Sequence, residues 1–133
     1  MQGGERTVMQ FHFLAWPDYG VPDDGSAVLA LLYAVREMQT NFKKYVKDLK
    51  QIPPYGPPIV VHCSAGVGRS GAFCTLDYCI DELSDQKRVN VQGAVRRLRL
   101  QRAYAIQTDE QYEFCYRAVL EHAKSTKPHT KKF

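Results

Sequence analysis

The chain has 133 residues, of which 44% are apolar, 11% aromatic and 24% charged. This length accommodates one small domain, and the composition excludes wholesale disorder. The net charge of +4 is mild and fits anionic ligands and ordinary solubility equally well. No apolar run approaches the length of a membrane span, and the first ten residues lack the apolar segment of a signal peptide.

The N-terminal third of the chain predicts a strand, a loop and a helix. Apolar and polar residues partly alternate from Arg6 to Leu14, which is typical of a strand. The segment from Trp16 to Gly25 is dense in Pro, Gly and Asp and predicts a loop. Ser26 is then a candidate N-cap for a helix that runs to about Phe42.

The remainder of the chain predicts one more strand and three more helices. After the Pro-rich break at residues 51–58, the β-branched run from Ile59 to Val61 is typical of a buried central strand. A glycine-rich loop starting at Cys63 follows at once, and helices are predicted over 71–86 and about 91–101. A fourth helix, to about Ala123, is predicted after Thr108, where TDEQ has the pattern of a capping box.

Two strands do not make an independently stable sheet, and a buried central strand needs neighbours on both sides. The sequence therefore predicts an α/β fold in which a central strand leads into a phosphate loop and then a helix. We expect residues 1–133 to form the C-terminal part of a larger mixed-sheet domain whose N-terminal part is absent. Residues 125–133, which hold three lysines, are expected to form a flexible solvated tail.

The four cysteines fall into two groups. They form no CxxC pair and have no zinc-like spacing with the four histidines, so we expect no metal site and reduced thiols, as in the cytosol. Cys74, Cys79 and Cys115 lie among apolar residues at helical spacing, where cysteine is usually a small buried hydrophobe. Cys63 stands instead at the start of the glycine-rich loop.

The stretch VVHCSAGVGRSG, from Val60 to Gly71, has the features of an anion-binding loop with a nucleophile. A strand that enters a glycine-rich turn and then a helix directs backbone N–H groups and partial positive charge at a phosphate. Arg69 can bind two phosphate oxygens with its planar fork. The same donors favour the thiolate of Cys63, which is the reactive form, and Ser70 can add a hydrogen bond to the sulfur.

Three other interpretations fit this loop less well. A Walker A loop requires GxxxxGK[ST], and this stretch lacks both the spacing and the lysine. A cysteine–histidine protease pair is disfavoured because His62 and Cys63 are adjacent on a strand and point to opposite faces. A buried structural thiol beside a turn does not account for the arginine and serine that accompany the glycines.

The segment from His62 to Arg69 matches the HCxxxxxR signature of the protein tyrosine phosphatases, which the chain resembles from about Glu5 to Ala123. The stretch WPDYGVP, starting at Trp16, is similar to the mobile WPD loop of that family. The stretch QTDEQY, starting at Gln107, is similar to its glutamine loop. The order of the three motifs resembles the tyrosine-specific branch.

This resemblance implies a role for each matching residue. Cys63 would attack the phosphotyrosine phosphorus, and Asp18 would act as acid and then as base. Arg69 would bind the phosphoryl oxygens, Ser70 would stabilise the departing thiolate, and Gln107 would orient the hydrolytic water. The substrate-binding residues implied are Ser64, Ala65, Gly66, Val67, Gly68, Arg69, Asp18, Gln107 and Gln111. His62 and Trp16 would support the cysteine and the WPD loop, and neither a cofactor nor a metal is implied.

Some of these residues also have structural interpretations. Asp18 lies in a Pro/Gly turn, where aspartate is common, and helix capping alone accounts for Gln111. The basic run formed by Arg96, Arg97, Arg99 and Arg102 is interpreted as a solvated helix face, because no aromatic interleaving supports nucleic-acid binding.

The expected function is hydrolysis of phosphotyrosine in proteins through a phosphocysteine intermediate, in the cytoplasm or on the cytoplasmic side of a receptor. The alternative is a catalytically weak domain of the same fold that binds phosphotyrosine or a partner. Degenerate copies tend to lose the aspartate, the cysteine or the arginine, whereas this chain keeps Asp18, Cys63 and Arg69. The expected partners are phosphotyrosine proteins, without nucleic acid or membrane contact.

Overall fold

Four helices make up the regular structure of residues 8–42 and 56–126, the part of the chain described by the computed structural model. They are α1 (Ser26–Asn41), α2 (Gly68–Gln86), α3 (Val91–Gln101) and α4 (Asp109–Ser125). All four helices predicted from the sequence are therefore present. The main difference is that α2 begins at Gly68, three residues before the predicted start at Gly71, so that the end of the glycine-rich loop is helical.

The predicted α/β fold is wrong for the described residues, which contain no strand. Residues 8–14 and 59–61 have no regular structure, and Leu14 and Val60 are 80% and 85% exposed. A strand acquires its backbone hydrogen bonds from a neighbouring strand, and neither segment has such a neighbour in this part of the chain. An alternating or β-branched run indicates a preference for sheet burial but supplies no pairing partner.

The core lies where α2 packs against the other three helices. Leu32 of α1, Leu76 of α2 and Phe114 of α4 are at most 1% exposed and belong to one hydrophobic cluster. Cys79 and Cys115 are buried in the same cluster, as predicted, whereas Cys74 is only half-buried. The burial of α2 on several sides fixes the direction in which its N-terminus points.

The helix N-termini are capped in different ways. The side chains of Asn90 and Thr108 accept hydrogen bonds from Gly93 N and Gln111 N, and so cap α3 and α4. Gly25, rather than the predicted Ser26, is the N-cap of α1. The N-cap of α2 is Val67, which provides no side-chain hydrogen bond, and the first turn of α2 carries no acidic residue.

Two polar clusters tie α1 to its neighbours. Arg36 forms ion pairs with Asp77 at 2.7 Å and Asp81 at 2.8 Å, both on α2. A hydrogen bond of 2.6 Å joins the hydroxyl of Tyr33 to Nδ1 of the buried His122 on α4. These contacts attach α1 to α2 and to α4.

Two sequence predictions concern segments that lie partly or mostly outside the described residues. Residues 51–55 of the Pro-rich break and 127–133 of the predicted tail lie outside the described residues, while Ser125 still belongs to α4. Over 8–42 and 56–126, none of the helices has the length and apolar character needed to cross a bilayer.

Candidate active site

The glycine-rich loop turns directly into the first turn of α2. Gly66 has a φ of 68°, in the left-handed region that glycine enters without a steric penalty. Val67 then caps the helix, and Gly68, Arg69 and Ser70 are its first three residues. Because the first N–H groups of a helix have no intrahelical partner, this turn presents free donors on the side of the loop.

Several of these donors converge on the sulfur of Cys63. Partial burial of the thiol raises its pKa, but hydrogen bonds from the side chain and backbone N–H of Ser70 and from the N–H groups of Val67 and Gly66 lower it. The hydrogen bonds outweigh the burial, and the pKa of Cys63 falls from an ordinary value of 9.0 to about 6. Cys63 is therefore largely a thiolate at neutral pH.

Ser70 contributes a buried hydroxyl to this arrangement. Its Oγ has no acceptor with regular hydrogen-bond geometry in the described part of the chain, although its interaction with the sulfur is the strongest of those that lower the pKa of Cys63. A buried hydroxyl without a good acceptor is unfavourable. A negatively charged sulfur is the acceptor that this hydroxyl lacks.

Arg69 connects the loop to the segment that resembles the WPD loop. Its Nη2 donates a hydrogen bond of 3.3 Å to the carbonyl oxygen of Pro17, the residue before Asp18. Trp16 anchors the same segment, since its indole ring packs edge-on against Phe114 with the ring centroids 5.4 Å apart. Asp18, the candidate acid, thus follows Trp16, which is attached to the core, and Pro17, which is attached to the anion-binding cradle formed by residues 63–70.

Gln107 and Gln111 lie over the start of α2. A Cβ added to Gly68 would lie 2.8 Å from Oε1 of Gln107 and 2.9 Å from Nε2 of Gln111. The Oε1 of Gln111 also accepts a hydrogen bond of 2.9 Å from the backbone N–H of Gln107. Gln111 therefore holds Gln107 beside the cradle, and glycine at position 68 provides the space.

Backbone contacts attach the segment from Ile106 to Gln111, the glutamine segment, to α2. The N–H of Ile106 donates to the carbonyl oxygen of Val67 at 3.1 Å, and a Cβ added to Gly71 would lie 2.6 Å from the Ile106 nitrogen. Ile106 is buried and has a φ of 63°, which is rare for a β-branched residue. Arg99 steadies it by donating a hydrogen bond of 2.7 Å to its carbonyl oxygen. The strained residue immediately precedes Gln107, and thus fixes where that side chain begins.

Arg102 binds the outer side of the glycine-rich loop. Its Nε donates to the carbonyl oxygen of Gly66 at 3.2 Å, and its Nη2 donates to that of Ala65 at 3.3 Å. Arg97, Arg99 and Arg102 are all exposed, in agreement with the predicted solvated basic face. Arg97 pairs with Glu82 at 3.8 Å, whereas Arg99 and Arg102 also donate hydrogen bonds to backbone carbonyl groups.

Comparison with known proteins identifies the family. The family model for protein-tyrosine phosphatases matches residues 1–121. The chain belongs to the protein-tyrosine phosphatase family. It is 48% identical over 122 residues to human tyrosine-protein phosphatase non-receptor type 9, and 43% identical over 119 residues to mouse receptor-type tyrosine-protein phosphatase alpha. These alignments cover 90% and 89% of this chain but 20% and 13% of those proteins. The resemblance found in the sequence is thereby confirmed.

The three phosphatase motifs meet around α2, but their residues differ in the contacts that they make there. Cys63, Arg69 and Ser70 share the cradle, and Gln107 and Gln111 lie against it. Asp18 and His62 are exposed and form no hydrogen bond within the described residues. The roles assigned to all of these residues stay predictions.

Two hollows flank the glutamine segment of this phosphatase domain. One, of about 510 Å³, lies beside Tyr104 and Gln107, and a second, of about 300 Å³, lies between α3 and the start of α4. Arg99, Ile106 and Gln107 line both. Cys63 lines neither of these two hollows.

Proposed function

We propose that this member of the protein-tyrosine phosphatase family hydrolyses phosphotyrosine in proteins through a phosphocysteine intermediate. The observation that carries the proposal is the convergence of hydrogen bonds on Cys63, which gives its thiol a pKa of about 6. A thiolate is a strong nucleophile, and the free N–H groups around it suit the oxygens of a phosphoryl group.

In the first step, the Cys63 thiolate attacks phosphorus, and the bond from phosphorus to the tyrosyl oxygen breaks. The backbone N–H groups from Ser64 to Arg69 and the guanidinium of Arg69 bind the phosphoryl oxygens. Asp18, protonated at this stage, transfers its proton to the departing phenolate. These fixed donors stabilise the transition state without reorganising during the reaction.

In the second step, water attacks the phosphorus of the phosphocysteine, and the bond from phosphorus to sulfur breaks. Asp18, now a carboxylate, accepts a proton from that water, so one residue serves as acid and then as base. Gln107, held by Gln111, orients the water. The Ser70 hydroxyl, whose interaction with the sulfur lowers the pKa of Cys63, donates to the departing thiolate.

The proposed substrates are phosphotyrosine proteins in the cytoplasm or at the cytoplasmic side of a membrane receptor. The relatives include proteins named as non-receptor and receptor-type tyrosine phosphatases, which supports both settings. All four cysteines are free thiols, and an activated thiol such as that of Cys63 persists only in a reducing compartment.

The test is hydrolysis of a phosphotyrosine peptide and of a matched phosphoserine peptide by the chain. Cys63→Ser is the blank, and Cys74→Ser is the matched control, because Cys74 is half-buried on α2 and burial raises its pKa. We expect release of phosphate from the phosphotyrosine peptide, a phosphorylated Cys63 peptide after acid quenching, and loss of both in Cys63→Ser alone. Binding of the phosphotyrosine peptide without turnover by the unsubstituted chain would instead identify the phosphotyrosine-binding alternative.

A further inference from the structure

Arg102 binds two consecutive peptide groups of the loop that surrounds Cys63. Its guanidinium donates to the carbonyl oxygens of Ala65 and Gly66 at 3.3 and 3.2 Å. It is the C-cap residue of α3, and its backbone is fixed by hydrogen bonds from its N–H to Leu98 O and from Ala105 N to its carbonyl oxygen. The side chain therefore reaches the loop from a rigid helix end.

The two carbonyl groups that Arg102 binds belong to peptide groups whose N–H bonds point in the opposite direction. A trans peptide is planar, and its C=O and N–H point in opposite directions. The carbonyl group of Ala65 shares a peptide plane with the N–H of Gly66, and that of Gly66 shares one with the N–H of Val67. These two N–H groups are among those that hydrogen-bond the sulfur of Cys63. Arg102 thus contacts the outer side of the same two planes whose inner side faces the sulfur.

We propose that Arg102 is a positioning residue of this site: by binding the carbonyl oxygens of Ala65 and Gly66, it holds the N–H groups of Gly66 and Val67 toward the sulfur of Cys63. The inference rests on the proposed function, in which that sulfur is the nucleophile. Arg102 acts through the loop, from the side opposite the sulfur. Without it, rotation of either plane would turn a carbonyl dipole toward the thiolate and remove a donor.

Two further features support this role. Gly66 is the hinge of the loop, with a φ of 68°, and a Cβ added to it would lie 3.3 Å from Nη2 of Arg102. A glycine in this conformation rotates easily, so its orientation depends on external contacts. In addition, no carboxylate of the described residues forms an ion pair with Arg102, so its donors are available to the loop.

The experiment measures the rate of Cys63 alkylation by iodoacetamide as a function of pH, with each modified cysteine identified by peptide mass. The unsubstituted chain is compared with Arg102→Lys and Arg102→Gln. Arg97→Gln is the matched control. Arg97 is also an arginine of α3, but it pairs with Glu82 and not with the loop around Cys63. We expect the apparent pKa of Cys63 to rise by about one unit or more in Arg102→Gln, which slows alkylation near pH 6 about fivefold. Arg102→Lys should lie between the two, because a single ammonium cannot reproduce the fork.

The other cysteines report on folding in the same experiment. Cys79 and Cys115 are buried, so their alkylation would reveal unfolding, and only samples in which both stay protected are compared. An unchanged pH profile of Cys63 in folded Arg102→Lys and Arg102→Gln would overturn the positioning role while leaving the proposed function intact. An ordinary thiol profile in the unsubstituted chain would overturn both.

Discussion

The guanidinium of Arg69 is hydrogen-bonded to the carbonyl oxygen of Pro17 at 3.3 Å, across 52 positions of sequence. This contact links the cradle to the segment that carries Asp18, the next residue. A phosphoryl group in the cradle would compete for the same guanidinium, because Arg69 is also the residue expected to bind its oxygens. Occupation of the cradle and the position of Asp18 would therefore be coupled through one side chain.

Asp18→Asn is expected to lower kcat by about a hundredfold or more, with a much smaller change in KM, because proton transfer to the leaving group is needed only in the transition state. The measurement is steady-state hydrolysis of a phosphotyrosine peptide. Asp23→Asn is the matched control, since Asp23 lies in the same loop and, over residues 8–42 and 56–126, only its backbone oxygen accepts a hydrogen bond, from Arg117. A change confined to KM would show that Asp18 is not the acid.

The stability of the chain should depend on pH through Cys63. Its pKa is about 6 when folded against an ordinary value of 9.0, so the unfolded chain binds more protons between these pH values. The free energy of unfolding should therefore rise from pH 6 to pH 9, and the stabilisation due to the thiolate should be lost as pH falls toward 6. Urea denaturation of the unsubstituted chain and of Cys63→Ser across this range measures it. A difference between the two proteins that is independent of pH would contradict the expectation.

Tyr33→Phe should reduce the free energy of unfolding by about 1–2 kcal/mol, because it leaves Nδ1 of the buried His122 without its partner. Burial, followed by the charge of Arg36, lowers the pKa of His122, so the folded protein favours the neutral ring. Tyr116→Phe is the control, since within the described part of the chain that exposed hydroxyl bonds only to Tyr112 on the same helix. Equal losses in the two variants, measured by urea denaturation, would argue against a special role for the Tyr33–His122 pair.

Gly71→Ala should destabilise the chain by about 1–3 kcal/mol, because the new methyl group would overlap the backbone of Ile106. The displacement would carry Gln107 away from the cradle, so activity should fall further than stability alone explains. Gly93→Ala is the contrasting substitution, since its added Cβ would lie 3.0 Å from side-chain atoms of Asn90, the N-cap of α3, instead of overlapping backbone atoms near the cradle. Thermal unfolding and phosphatase assays of both variants test this, and similar behaviour of the pair would refute it.

The helices and the central cysteine loop could be predicted from the sequence because their signals are local. Apolar spacing and the Thr108 cap located the helices to within a few residues. The strands could not be predicted in the same way, because the apolar run from Ile59 to Val61 carries no information about a pairing partner. Local patterns therefore predicted the helices correctly, but they also predicted strands that the described residues do not form.

Site residues that lie close together in sequence can be predicted, whereas those that meet only in the fold cannot. Cys63, Arg69 and Ser70 lie within eight consecutive positions, so their chemistry is visible in one motif. Arg102 binds carbonyl groups that are 36 and 37 positions away, and its neighbours in sequence resemble an ordinary basic helix end. The sequence also does not predict the start of α2 at Gly68, because closely spaced glycines are typical of a loop when their tertiary contacts are unknown.

The first turn of α2 is also part of the cradle, and Val67 leaves it without a side-chain cap. An oxyanion bound there would complete the helix as well as occupy the site, so part of its binding free energy would also be folding free energy. Inorganic phosphate, the product of the proposed reaction, would then raise the unfolding temperature as its concentration increases. Substrate recognition and the integrity of the central helix would in this way form a single linked equilibrium.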